Sequence, residues 1–126
     1  MRPVLWTLQT VLAALFLAIG STKVFQTTDE AIASQPEFAD FPGWLITVIG
    51  VVEIAGALGL LLPSLTRILP ILTPVAAVGL ALTMTFAALF HLVRGEYGDI
   101  AVTLTFVIPL GLVAWARSGR WSIDPR

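Results

Sequence analysis

Cysteine is absent from the chain. That absence excludes disulfide exchange, thiolate metal sites and any thiol-redox relay. Histidine occurs once, at His91, so neither a multi-histidine metal centre nor a bis-histidine haem site can be built. Charge is scarce as well: acidic and basic residues make up 12% of the 126 residues, about half the share of a typical soluble domain. The seven cations are scattered and the net charge is −1, so no basic face exists to neutralise phosphates, and nucleic acid is not a partner. No nucleophile elbow, phosphate loop or dinucleotide fingerprint appears.

What is abundant is apolar surface, at 57% of residues. A water-soluble single domain of this length cannot hide that much, whereas a lipid bilayer can take the place of the missing core. Four apolar stretches stand out, Val4–Phe25, Trp44–Leu62, Leu69–Val93 and Ile100–Ala116. Each is about 17 to 25 residues long, the length a helix needs to cross ~30 Å of hydrocarbon. Continuous apolar runs lack the alternation of barrel strands, so helices are predicted. The expected fold is all-α: one domain over residues 1–126, a four-transmembrane-helix bundle with a short extracytoplasmic helix or loop between helices 1 and 2. A cleavable signal peptide is the competing reading of the first stretch. Its length, the lysine near its exit and the three spans that follow favour a retained helix.

Four spans put both termini and the middle loop on one side. Arg2, Arg67, Arg117, Arg120 and Arg126 lie there, while Asp29, Glu30, Glu37, Asp40, Glu96 and Asp99 lie on the other side with Lys23 and Arg94. The positive-inside rule then places both termini in the cytoplasm of a multi-pass cell-membrane protein. Trp6, Trp44, Trp115 and Trp121 fall at or just beyond span ends, where amphipathic rings are favoured. In the acidic connection Gln26–Gly43, Thr27-Thr28-Asp29-Glu30 reads as a capping box, predicting a short helix to Gln35 that Pro36 ends, with Phe38 and Phe41 dipping into the interface. Pro63 with Ser64 is expected to close span two, Pro70 and Pro74 to mark the start of span three, and Pro109 to bend span four.

Glu53 lies nine positions after Trp44, about 13 Å into the membrane at a rise of ~1.5 Å per residue. A carboxylate at that depth must be protonated, paired or exposed to a watery cavity, and each option makes it a functional candidate. Gly50, Gly56 and Gly59 surround it on a smooth flank, which helix packing alone explains. Lys23 shares a face with Gly20, Phe16, Ala13 and Gln9, and His91 with Ala88, Met84, Leu80, Ala77 and Thr73. Both faces should point into the bundle, where Lys23 and His91 would meet around Glu53. The expected polar or ligand-binding cluster is therefore Lys23, Glu53, His91 and Met84, with no metal. Threonines 83, 85, 103 and 105 are expected to bond to their own helices.

The pattern resembles the DoxX-like family of small four-helix membrane proteins. The match rests on Gly20-Ser21-Thr22-Lys23, Pro42, the run from Gly50 to Gly56 around Glu53, the Pro74 to Met84 stretch, and His91. The resemblance implies a compact bundle and makes Lys23, Glu53 and His91 the positions to carry over. Members are associated with quinone oxidoreductases as membrane subunits, and a receptor chaperone is a distant relative. The expected role is an integral membrane accessory subunit or assembly partner, held in the lipid bilayer and paired with a membrane protein partner or its own copy. Alternatives are a quinone-linked oxidoreductase subunit, with a quinone ring on Phe86, Phe90 or Phe106, and a proton-coupled small-molecule transporter. No cofactor is evident beyond a possible quinone, and no reaction is assigned to the isolated chain.

Overall fold

The computed structural model describes residues 2–126, and every regular element in that range is helical. Helix α1 spans Arg2–Phe25, α2 Thr28–Ser34, α3 Gly43–Thr66, α4 Leu72–Arg94 and α5 Tyr97–Ser118, with a 3-10 helix at Pro36–Asp40. The four long helices are each apolar enough and long enough to cross a membrane. Their outward faces carry large exposed apolar residues, such as Val51, Val78, Leu89 and Ile108, which suit acyl chains and would be unstable in water. The chain is thus a multi-pass membrane protein with the four-helix architecture its apolar stretches predict.

The helices pack in a ring, α1 on α3, α3 on α4, α4 on α5, with α5 closing more lightly on α1. The α1–α3 and α4–α5 pairs are the intimate ones. Between them lies a core of Leu12, Phe16, Leu60, Leu80, Leu110 and Val113, all almost fully buried. The 3.6-residue period explains which side chains reach it: the buried set of α1 runs Leu5, Gln9, Leu12, Ala13, Phe16, Gly20, and that of α4 runs Thr73, Pro74, Ala77, Leu80, Ala88, His91. Both faces are those the residue spacing predicts.

Short elements close one end. Thr27 and Glu30 form the expected capping box, each side chain bonded to the other's backbone amide. Helix α2 then ends with Gln35 as its cap, and Pro36 opens the 3-10 turn instead of an open loop. Phe38 is buried against Ala31 and Ile46, so the segment is a lid packed on the bundle, with Phe41 leaning on it.

Pro63 does not close span two. Helix α3 continues through it to Thr66, since a proline within a membrane span removes one amide donor, the one that would bond to the Gly59 carbonyl, without ending the helix. One carbonyl further along, Gln9 of α1 donates through Nε2 to Leu60 at 2.7 Å and ties the two helices together there. Span three starts at Leu72, with Pro70 before it and Pro74 in its first turn. The tight α3–α4 connection has two non-glycine residues with positive φ, Arg67 at 59° and Leu69 at 48°. The C-terminal tail holds the first of these in place: the Arg126 amide donates to the Arg67 carbonyl, and Arg67 Nε donates to the Asp124 carbonyl.

Candidate functional site

Lys23 and Glu53 meet where α1 and α3 approach most closely. A Cβ added to Gly20 would stand 2.7 Å from the Gly50 carbonyl oxygen and 3.1 Å from Glu53 Cβ, while one added to Gly50 would stand 2.8 Å from Lys23 Cβ. Each charged residue is therefore packed over a glycine of the opposite helix. The short axial distance lets the Lys23 ammonium donate to Glu53 Oε1 at 2.6 Å. The Glu53 side chain has no exposed surface and that of Lys23 keeps 10%, so this is a dry ion pair and not a lysine snorkelling to the surface. Glu53 Oε2 is buried without any donor.

His91 sits in the last turn of α4, and Gly95 reverses the chain there in the left-handed region, at φ 73°. The Glu96 amide then bonds back to the His91 carbonyl at 2.9 Å, which brings the Glu96 side chain over the imidazole. Nδ1 lies 3.2 Å from Glu96 Oε1 and 4.0 Å from Asp99 Oδ2. Arg94 donates to the same Glu96 oxygen at 3.0 Å and pairs with Asp40 of the lid. The His91 hydrogen bond first, and Arg94 after it, hold the Glu96 carboxyl below its ordinary value of 4.5. His91 is thus committed to its own turn and does not bond to Glu53. The His91, Glu96 and Asp99 ligand atoms lie within 4.8 Å of one another, a spacing compatible with a cation. Arg94 already supplies positive charge to that group.

These side chains line one cavity of about 440 Å³ under the lid. Lys23 and Glu53 come from α1 and α3, Met84 and His91 from α4, Asp99 and Thr103 from α5. Phe38, Phe41, Phe86, Phe90 and Phe106 contribute to the wall beside aliphatic residues such as Ile19, Ile49 and Val102, the three rings proposed from sequence among them. Phe38, Phe41 and Phe90 pack in sequence, with Phe41 and Phe90 centroids 4.7 Å apart, while Phe106 packs on the core residue Phe16 at 5.4 Å. All four residues expected to form the cluster therefore face the same space. Threonines 83, 85, 103 and 105 each donate to a carbonyl three or four residues back, as expected.

A second buried polar layer lies at the opposite end, and sequence reasoning did not assemble it. Gln9, Ser64, Thr73 and Arg117, one from each long helix, are all buried. Arg117 Nε donates to Gln9 Oε1 at 2.7 Å, and Nη1 donates to the Trp121 carbonyl at 2.8 Å. The Ser64 and Thr73 hydroxyls are 2.7 Å apart. Arg117 also lies over the Trp6 ring at 5.1 Å. The available signal was register: Arg117 follows Leu110 and Val113 by steps of three and four along the inner face of α5.

Among known sequences, the profile of the DoxX-like family matches residues 7–116 of the chain. No curated protein and no solved structure matches it.

Proposed function

We propose, from the premise that the chain belongs to the DoxX-like family, that it is an accessory membrane subunit that holds a small amphipathic molecule under its lid and presents it to a partner. The observation that carries this reading is the Lys23–Glu53 ion pair at the wall of a cavity whose surface is otherwise mostly apolar, with five phenylalanines among its lining. Its volume falls within the range of small-molecule pockets, about 300–1,000 Å³, and so does its character: apolar walls with a few convergent polar groups. The excess of arginine at the α5 C-terminal end and of acids at the lid end supports an orientation with both termini cytoplasmic and the lid outside.

Two alternatives fit less well. A quinone-linked subunit would use the same phenylalanine wall, but with no cysteine and one histidine the electrons would have to come from a partner. Proton-coupled transport needs a route to both faces. The cavity occupies the lid end, and the packed layer of Phe16, Leu60, Leu80, Leu110 and Val113 lies between it and the Arg117 end.

Native mass spectrometry of the protein released gently from membranes tests the reading. The wild type should carry a small amphipathic molecule, and Ala87→Trp, which fills the cavity from its α4 wall, should release it while the protein stays folded. Equal occupancy in both proteins, or none in the wild type, would overturn it.

A further inference from the structure

We infer that the molecule held in this cavity ends in a neutral hydroxyl group that donates to Glu53 Oε2, an inference that rests on the cavity reading above. Glu53 has two acceptor oxygens, and Lys23 takes Oε1 at 2.6 Å. Oε2 is buried with no donor from the protein. A carboxylate oxygen left so is unfavourable, and native interiors leave few such groups without a reason. Glu53 is among the residues that line the cavity, and a turn of its fully buried carboxyl group brings Oε2 to that space, where a bound molecule supplies the missing proton donor.

Four head-group chemistries compete for that place. An ammonium would bring a second cation onto a carboxylate that already holds Lys23, and like charges at this range repel strongly in an apolar setting. An anion would meet Glu53 and Asp99 across the cavity, with the Lys23 charge already neutralised. A ketone or ether accepts hydrogen bonds but has no proton for Oε2. A hydroxyl does both jobs: its O–H donates to Oε2, and its lone pairs accept from Lys23, an ammonium with three donors of which Glu53 uses one. The phenylalanine wall takes the apolar body, and rings such as Phe41 and Phe90 favour an aromatic one.

A matched trio of probes decides the matter: 4-octylphenol, its methyl ether and 4-octylbenzylamine, an ammonium at neutral pH, titrated calorimetrically into the purified protein in lipid nanodiscs. The phenol should bind at least about tenfold tighter than the ether, the ratio expected when one buried hydrogen bond to a charged group is lost. That preference should shrink toward one in Glu53→Leu, with ether binding kept. Ala87→Trp should abolish binding of all three. Equal binding of phenol and ether to the wild type, or tightest binding of the amine, would overturn the hydroxyl inference and leave the cavity reading standing. Failure of all three probes to bind would overturn the cavity reading itself. The wild-type comparison alone is decisive should Glu53→Leu fail to fold.

Discussion

Gly20 and Gly50 face one another across the α1–α3 seam so closely that a Cβ on either would lie within 2.8 Å of the other's carbonyl oxygen. This approach brings the Cα–Cβ stems of Lys23 and Glu53 over the opposing glycines and so sets the geometry of their pair, and backbone oxygen stands among the nearest obstacles to any added atom.

Gly50→Ala should therefore push the two helices apart. Its Cβ would also meet Lys23 Cβ and Val24 Cγ2, at 2.8 and 2.9 Å, and overpacking of this kind costs about 1–3 kcal/mol. Gly79, inside helix α4, has no atom within 4 Å of its added Cβ, so Gly79→Ala should not destabilise and should gain about 0.5–1 kcal/mol from alanine's better helix propensity. Unfolding in detergent by denaturant reads both. Equal effects would mean that the seam is looser than described.

Arg117 and Arg120 are three residues apart and read alike in the sequence, yet only the first is buried. Arg117→Met leaves Gln9 Oε1 and the Trp121 carbonyl without their donor and should cost about 1.5–3 kcal/mol, the range for hydrogen bonds to charged groups. Arg120→Ala should change little. Adding Gln9→Leu to Arg117→Met should cost less than the two single losses summed, since both remove the same bond. Thermal denaturation of the four proteins measures this, and strict additivity would show that Gln9 and Arg117 are not coupled.

Glu96 makes the α4–α5 turn sensitive to acid. Its folded-state carboxyl titrates below the ordinary value, through His91 first and Arg94 second, so its contribution is present above the unfolded value of about 4.5. It is lost as the pH falls through the lowered folded value. Protection of the Gly95–Asp99 amides, taken against their intrinsic exchange rates, should therefore fall below about pH 4.5 in the wild type. In Glu96→Gln that acid-dependent step should be gone. A step of the same size in both proteins would assign it to another group.

Much of the fold was legible because a membrane leaves the chain few choices. Apolar runs of spanning length become helices, and the three- and four-residue steps through Gln9, Phe16 and Lys23, or Thr73, Leu80 and His91, mark which faces turn inward. The Thr27–Glu30 box was equally readable, since a capping box joins residues that are neighbours in the chain. Pro63 misled because a proline within a membrane-spanning helix removes a single amide donor, and the rest of the helix keeps its own bonds and runs on to Thr66.

Sequence by itself thus determined that four helices cross a bilayer, which faces they bury, and that Glu53 must be protonated, paired or open to a watery cavity there, because local periodicity and the cost of a charge in lipid need no knowledge of neighbours. Only the tertiary structure decided the partners. Glycine contact between α1 and α3 gave Glu53 to Lys23, the left-handed turn at Gly95 gave His91 to Glu96, and packing of α1 beside α5 gave Gln9 to Arg117. Each is a pairing between side chains whose meeting depends on how backbones approach in space, and residue spacing along a single helix does not contain that distance.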